Sequence, residues 1–321
     1  MNLSKVVVLG TLDTKGQEFK FIKDVVESVG VETIVINAGV KGKPSFEPSI
    51  PNTEVARAGG RTLEELIKEN DRGQAIDVMM RGAAKIVLEL FEKGELGGII
   101  SLGGSAGTTI GTYAMRALPV GVPKIMVSTV ASGDTRPYVD VKDVTMMYSV
   151  IDISGINSLS SQILANAAFG IAGMVKGKTP KLGEEKTLIG ATMFGVTTPC
   201  VTKAREYLEE QGYEVLVFHA TGTGGKAMES LIEAGYIKGV LDVTTTEWCD
   251  QLVGGVFSAG ETRLEAAAKA GIPQVVSTGA LDMVNFGPMD TVPAQFKGRK
   301  LYKHKPTVTL MRTTVEENRE L

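Results

Sequence analysis

Short apolar runs alternate with helix-like segments along almost the whole chain, and this alternation most constrains its fold. Strands separated by helices favour parallel pairing, because parallel strands need a crossover connection. In the first half we predict strands at residues 6–9, 33–37, 98–102 and 124–128, and the clearest helix at residues 71–93. The predicted fold class is therefore α/β, with mostly parallel sheets that carry helices on both faces.

The alternation stops at residues 178–186, a charged stretch that contains Pro180 and Gly183, and then restarts. We interpret this stretch as a linker, since it has neither helical nor strand periodicity. Beyond it we predict strands at residues 187–192, 214–218, 239–243, 274–277 and 307–311, and helices at residues 199–211, 226–234 and 262–270. A chain of 321 residues is long for one core, so we predict two Rossmann-like domains, residues 1–178 and 187–321.

Composition argues against several classes of function. A net charge of −3 with both signs interspersed does not favour nucleic acid or an anionic membrane as a partner. Two cysteines and two histidines are too few for a disulfide scaffold or for a metal site built from these residues. We therefore expect no metal site. The N-terminal residues lack a secretory signal pattern, so we expect a soluble, cytoplasmic protein.

The turns that follow the first-half strands are rich in glycine and hydroxyl side chains. Ligands of open parallel sheets bind beyond the carboxyl ends of the strands. Backbone N–H groups freed by glycine, with Ser and Thr hydroxyls at a helix start, suit phosphate oxygens. We therefore predict a phosphate-binding site formed by Gly10, Thr11, Asp13, Thr14, Lys15, Gly39, Gly103, Gly104, Ser105, Gly107, Thr108, Thr129, Ser132 and Gly133.

These turns do not carry a common nucleotide signature. The first turn, within residues 6–19, contains neither GxGxxG nor GxxxxGK[ST]. The third turn, residues 103–109, has three glycines but lacks the lysine of the second signature. A tight strand-to-helix turn with close packing is therefore the structural alternative for this segment.

The turns of the second half contain titratable groups instead. We predict that His219, Glu247, Asp282 and Arg312 form a catalytic site, because all four lie at or just past predicted strand ends. An imidazole, two carboxylates and a guanidinium could bind an anionic metabolite and move a proton. In the structural alternative, Glu247 caps a helix and Arg312 neutralises Asp282.

One segment, residues 40–61, has neither period and contains three prolines. A loop of this length inside a compact domain is usually functional or disordered. Because it follows the second predicted strand directly, we expect it to close over the first-domain pocket as a lid. A solvent-exposed excursion is the alternative.

Several strings in this sequence resemble the two-domain family of the tomato mosaic virus resistance protein and its bacterial relatives. They occur in the family's order over nearly the whole chain, and they are "GTLDTKG", "SLGGSAGTT", "STVASG", "MFGVTTPC", "FHATGTGGKAME", "TTTE", "GALDMVNFGP" and "LMRTT". The resemblance implies a Rossmann-like first domain that binds ATP, with or without Mg²⁺, and an α/β second domain of unassigned role. In the plant member, the protein binds a tobamovirus replication protein and inhibits viral RNA replication.

The resemblance also implies where the nucleotide lies. Residues 10–16 would line its site, residues 103–108 would hold the phosphates, residues 129–133 would close the pocket, and Arg72 would reach it from the helix. Family members continue beyond "RTTVEENREL", so we expect the second domain to be truncated at its C-terminus. We further expect a homodimer.

The leading hypothesis is an ATP-binding or nucleotide-binding protein whose reaction is unassigned. Two alternatives stay open. One is an enzyme that acts on a small carboxylated or phosphorylated metabolite from the second-domain site. The other is a protein-interaction module in which the nucleotide has a structural role.

Overall fold

The computed structural model describes residues 5–177 and 185–321. Most of the predicted linker, residues 178–184, therefore lies outside the described residues. The chain divides into two compact units, Met1–Pro180 and Lys181–Leu321. Each unit contains a parallel sheet with flanking helices, which confirms the predicted α/β class.

The first unit contains a five-stranded parallel sheet in the order β2-β1-β3-β4-β5. Its strands are β1 (Lys5–Gly10), β2 (Thr33–Asn37), β3 (Leu96–Gly103), β4 (Lys124–Ser128) and β5 (Thr145–Tyr148). Its helices are α1 (Gly16–Ser28), α2 (Asn52–Ala58), α3 (Leu63–Glu69), α4 (Arg72–Glu92), α5 (Ser105–Ala117), α6 (Arg136–Val139) and α7 (Ser158–Lys176). The four predicted strands are confirmed, whereas β5 is a half-exposed edge strand that the apolar pattern did not reveal.

Helices cover both faces of this sheet because side chains alternate between the faces along each strand. Val7 and Leu9 of β1 belong to a core that includes residues of α4 and α5. Val6 and Val8 belong to a second core that includes residues of α1 and α7. Helix α7 is the one described helix that is long and apolar enough to cross a membrane, and its buried apolar residues pack in this second core.

The second unit contains a four-stranded parallel sheet in the order β7-β6-β8-β9 and a three-stranded antiparallel sheet in the order β10-β12-β11. The strands are β6 (Leu188–Met193), β7 (Glu214–His219), β8 (Ile237–Thr244), β9 (Gln274–Gly279), β10 (Met283–Phe286), β11 (Leu301–Lys305) and β12 (Val308–Arg312). The helices are α8 (Thr198–Glu210), α9 (Thr223–Glu233), α10 (Glu247–Val253), α11 (Ala266–Ala270) and α12 (Val315–Glu320).

The antiparallel sheet of the second unit was not predicted as a separate sheet. The run at residues 307–311 is a strand, as predicted, but it is the central strand β12 of this sheet. Only Pro306 and Thr307 separate β11 from β12. A connection this short permits antiparallel pairing only, since a parallel pair needs a longer crossover.

The proline-containing segment at residues 40–61 is more ordered than its sequence suggested. Helix α2 occupies its second half, and a helix of seven residues is too short to show a clear period. The first half is held by backbone contacts: Asn37 N–H donates to Ile50 O at 3.0 Å, and Ser45 N–H donates to Leu12 O at 3.2 Å. Asn52 Nδ2 also donates to Gly39 O at 2.6 Å.

A buried ion cluster joins three elements of the second unit. Arg263 is 2% exposed, and its guanidinium donates to both carboxylate oxygens of Asp242 in β8. Arg263 Nε donates to Glu247 Oε2 in α10 at 2.7 Å, and Nη1 lies 3.5 Å from Glu229 Oε1 in α9. Burial raises the pKa of Glu229. The cluster places one guanidinium among three carboxyl groups, so the unit depends on that single positive charge.

We predict that Arg263→Met destabilises the second unit by about 3–5 kcal/mol, because it leaves Asp242 and Glu247 buried without their counter-ion. Urea denaturation followed by the fluorescence of Trp248, the only tryptophan, measures this unit directly. The matched control is Arg205→Met, which removes a half-exposed partner of Glu209 and should cost less than about 1 kcal/mol. Equal unfolding midpoints for the two variants would contradict a stabilising role for the cluster.

Candidate functional site

A cavity of about 640 Å³ lies at the carboxyl ends of β1 and β3 in the first unit. These strands pair in parallel, with Leu9 opposite Ser101, so the turns that follow them start side by side. The cavity is lined by the β1–α1 turn, the β3–α5 turn, the residues after β2, and the end of α3 with the start of α4. This is the edge at which open parallel sheets bind ligands.

Part of the cavity wall is polar and contains the N-terminus of α5 and the turn that leads into α1, whereas the first residues of α1 itself, Gly16, Gln17 and Glu18, line a neighbouring cavity. Helices α1 and α5 each have 13 residues, and neither Lys15 nor Gly104 at their N-cap positions caps the helix with its side chain. The first N–H groups of such helices carry partial positive charge and lack an intrahelical acceptor. The wall is completed by the hydroxyl groups of Thr11, Thr14 and Ser105. Its chemistry suits an anion with several oxygens.

The cavity also has an apolar lining. It is formed by Ala38, Val40, Leu66, Ile67, Ala75, Ile76, Met79 and Ile110. The sequence analysis did not select these residues, because apolar residues at helical spacing in α3 and α4 are typical of a core face. Part of the apolar face of α3 and α4 lines a cavity only because the fold places these helices near the β1–α1 turn.

Most of the predicted phosphate-site residues line this cavity. They are Thr11, Asp13, Thr14, Lys15, Arg72, Gly103, Gly104, Ser105 and Gly107. The sequence analysis missed Lys41, Asn70 and Asp71, which also line it. Asp71 caps α4, since its Oδ1 accepts from the N–H of Gly73 and of Gln74.

The other six predicted residues are not in the cavity wall, and they are Gly10, Gly39, Thr108, Thr129, Ser132 and Gly133. Close packing explains two of the glycines, because a Cβ on Gly10 would overlap the Phe19 ring and one on Gly39 would overlap the Asp13 carboxylate. Thr108 is buried, and its Oγ1 donates to Gly104 O at 2.8 Å. Its role is to hold the β3–α5 turn in shape.

Two charged residues of the β1–α1 turn already have backbone partners. Asp13 Oδ2 accepts from Lys41 N–H at 2.6 Å, whereas Asp13 Oδ1 is buried without a partner among the described residues. Lys15 Nζ donates to Ile153 O. Lys15 therefore connects the β1–α1 turn to the segment before α7. Two other cations, Arg72 and Lys41, are exposed and line the cavity of about 640 Å³.

Glu247 has a structural role in the second unit. Its Oε1 accepts from the N–H of Gly222 at 2.7 Å and of Gly225 at 3.1 Å, so it caps helix α9. The alternative in which Glu247 caps a helix is therefore observed, although the helix is α9 rather than the one that Glu247 begins. This carboxylate, paired with Arg263, fills the anion position at the glycine-rich β7–α9 turn.

The remaining predicted catalytic residues lie in other environments. Arg312 and Asp282 form an ion pair at 2.8 Å with side chains about half exposed, as the structural alternative expected. His219 is exposed, with its ring 5.4 Å from that of Phe194. Within residues 5–177 and 185–321, no hydrogen bond or ion pair joins His219, Glu247 and the Asp282–Arg312 pair. A shared catalytic cleft stays a prediction.

Metal binding has no candidate site in the described residues. No group of three or more His, Cys, Asp or Glu side chains there is placed to hold a metal ion. Cys249 is buried, and burial raises the pKa of its thiol to about 12. Cys200, at the start of α8, is exposed.

Similarity to known proteins covers both units. A relative from Clostridium tetani, named UPF0261 protein, is 67% identical over 317 residues, which cover 99% of this chain and 78% of the relative. The tomato ToMV resistance protein Tm-1(GCR237) is 42% identical over 341 residues, covering 99% of this chain. The chain spans only 45% of that tomato protein.

Among solved structures, UDP-N-acetylglucosamine 2-epimerase from Rickettsia bellii matches with a TM-score of 0.28 and 10% identity, covering 85% of this chain and 78% of the enzyme. Two family models match the sequence itself. The N-terminal domain of the Uncharacterised protein family (UPF0261) matches residues 4–180, and the C-terminal domain of that family matches residues 186–321. The chain therefore belongs to the UPF0261 family, together with the bacterial and tomato relatives.

Proposed function

We propose that the first unit binds ATP in the cavity at the carboxyl ends of β1 and β3. The observation that carries the proposal is the N-terminus of α5, which has no side-chain cap and lies beside the hydroxyl-bearing β1–α1 turn in a cavity that also has an apolar lining. A nucleotide likewise has a polar part and an apolar part, namely an anionic phosphate chain and a flat base with apolar faces. The resemblance to an ATP-binding family supports ATP in particular.

The phosphates would lie against the polar wall. The first N–H groups of α5 and the hydroxyl groups of Ser105, Thr11 and Thr14 would donate to phosphate oxygens. Arg72, exposed at the first residue of α4, can add a charge-assisted hydrogen bond. Magnesium in nucleotide sites is held by one or two carboxylates together with the phosphates, and Asp13 and Asp71 both line this cavity.

The base would lie against the apolar wall. Ile76 and Met79 project from adjacent turns of α4, and Val40 belongs to the segment after β2. Ligand pockets are typically apolar, with a few polar groups that fix the orientation of the ligand. The cavity volume of about 640 Å³ lies within the range of about 300–1,000 Å³ that is usual for small-molecule sites.

Gly104→Val tests the phosphate wall. A Cβ at Gly104 would meet nothing closer than Thr129 Oγ1 at 3.7 Å, so the fold should tolerate the change. We expect isothermal titration calorimetry to show ATP affinity reduced about tenfold, or about 1.4 kcal/mol, because the side chain crowds the phosphate position.

The matched control for this variant is Gly133→Val. Gly133 was also predicted to bind the nucleotide, but it does not line the cavity, and its Cβ would have ordinary contacts. We expect wild-type ATP affinity for it. Unchanged affinity in a folded Gly104→Val protein would refute the proposed phosphate position.

The lid hypothesis for residues 40–61 predicts a local protection from trypsin. Lys41 is exposed, lines the cavity and precedes Gly42, so ATP should slow cleavage after Lys41 by about fivefold as the segment closes over the nucleotide. Cleavage after Lys297, also exposed and followed by glycine in the second unit, is the internal control and should not change. Mass spectrometry of the fragments gives both rates. The same rate at Lys41 with and without ATP would mean that the segment does not close.

A further inference from the structure

A second cavity, of about 360 Å³, lies beside the nucleotide cavity in the first unit. Its wall consists of residues 12–18, Ser45 and residues 152–155. Asp13, Thr14 and Lys15 belong to the walls of both cavities. A ligand in the second cavity would therefore lie next to the polar wall at which the phosphates of the proposed nucleotide are expected.

Most side chains around the second cavity are polar. The two larger apolar ones, Leu12 and Ile153, are 1% and 4% exposed. Gln17, Asp152 and Ser154 are exposed and form part of the wall. The cavity thus offers hydrogen-bond donors and acceptors on several sides and a small apolar surface.

The N–H groups at the start of α1 add partial positive charge to this wall, since Gly16, Gln17 and Glu18 line it, but the formal charges of its side chains sum to a negative value and argue against an anion. Three carboxylates, those of Asp13, Glu18 and Asp152, face one ammonium group, that of Lys15, in the described wall. Lys15 Nζ already donates to Ile153 O, and Glu18 Oε1 accepts from Gly155 N–H at 2.6 Å. No group of acidic side chains in the described chain is placed to hold a metal ion.

We propose that this cavity binds a small, neutral, hydroxyl-rich molecule of monosaccharide size, beside the nucleotide. Hydroxyl groups both donate and accept, so they can donate to carboxylates and accept from Gln17 and Ser154. The N–H groups at the start of α1, which has no side-chain cap, can donate to ligand hydroxyl oxygens from the same wall. A volume of about 360 Å³ is at the low end for ligand pockets, which fits a sugar rather than a nucleotide.

The shared wall predicts that the two ligands influence each other. This part rests on the proposed function, since it needs a nucleotide in the first cavity. Because both ligands contact residues 13–15, nucleotide should change the affinity for the sugar by about threefold or more. Binding linkage is reciprocal, so the sugar must change nucleotide affinity by the same factor.

Titration calorimetry on the full chain tests the site with D-ribose, D-glucose and myo-inositol as neutral probes. Inorganic phosphate and ethanolamine are the anionic and cationic comparators. We expect at least one neutral probe to bind with a Kd near 1 mM, about −4 kcal/mol, and to bind more tightly than either comparator. The proposal is overturned if no neutral probe binds below about 10 mM or if a charged comparator binds best.

Ser154→Trp locates the binding. Ser154 is exposed and belongs only to the second cavity, so an indole there should weaken sugar binding about tenfold and leave ATP affinity unchanged. Ser28→Trp, at an exposed position near the end of α1, is the matched control and should bind the sugar normally.

The outcomes separate the two proposals. Sugar binding that Ser154→Trp weakens, in a protein that does not bind ATP, would support the second site and refute the proposed function. Sugar binding that Ser154→Trp does not change would overturn the second site, whatever the result for ATP.

Discussion

The parallel pairing of β1 with β3 is the constraint on which the rest of the first unit depends. The two strands are more than 80 residues apart in the chain, yet Val8 lies opposite Ile100 and Leu9 opposite Ser101. This register starts two turns at one edge of the sheet, and both turns line one cavity together with the N-terminus of α5. The nucleotide proposal follows from this arrangement, whereas the proposed sugar site depends on the β1–α1 turn and residues 152–155.

The second unit repeats the strand–turn–helix pattern, but a carboxylate side chain of the unit itself occupies the position at which an anion could bind. The β7–α9 turn is as rich in glycine as the turns of the first unit, and its N–H groups are bound by the Glu247 carboxylate. Arg263 neutralises that carboxylate in the core, and a Cβ on Gly225 would overlap it. Glycine in the first unit leaves room for the ligand that we propose, and glycine in the second unit makes room for a side chain.

Local patterns in the sequence predicted the strands of both parallel sheets well, except for β5. They failed where a segment was short or half exposed. Helix α2 has seven residues, β10 has four, and β11 is an edge strand with mostly exposed side chains. A short helix has only one or two turns and a short strand only one or two alternations of side chains, so the sequence shows too few repeats for a clear pattern. In such segments the contacts with neighbouring elements decide the conformation.

The sequence by itself determined the α/β class, the strands that lead to the glycine-rich turns, and most of the polar residues that line the cavity. These features are local, because the type of an element and the residues after a strand can be read within a few positions. Only the tertiary structure decided which side chains meet. It brought Ile76 and Met79 of α4 to the cavity, Lys15 to Ile153, and Glu247 to Arg263. Such partners depend on strand order and helix packing, and no periodicity within the sequence specifies them.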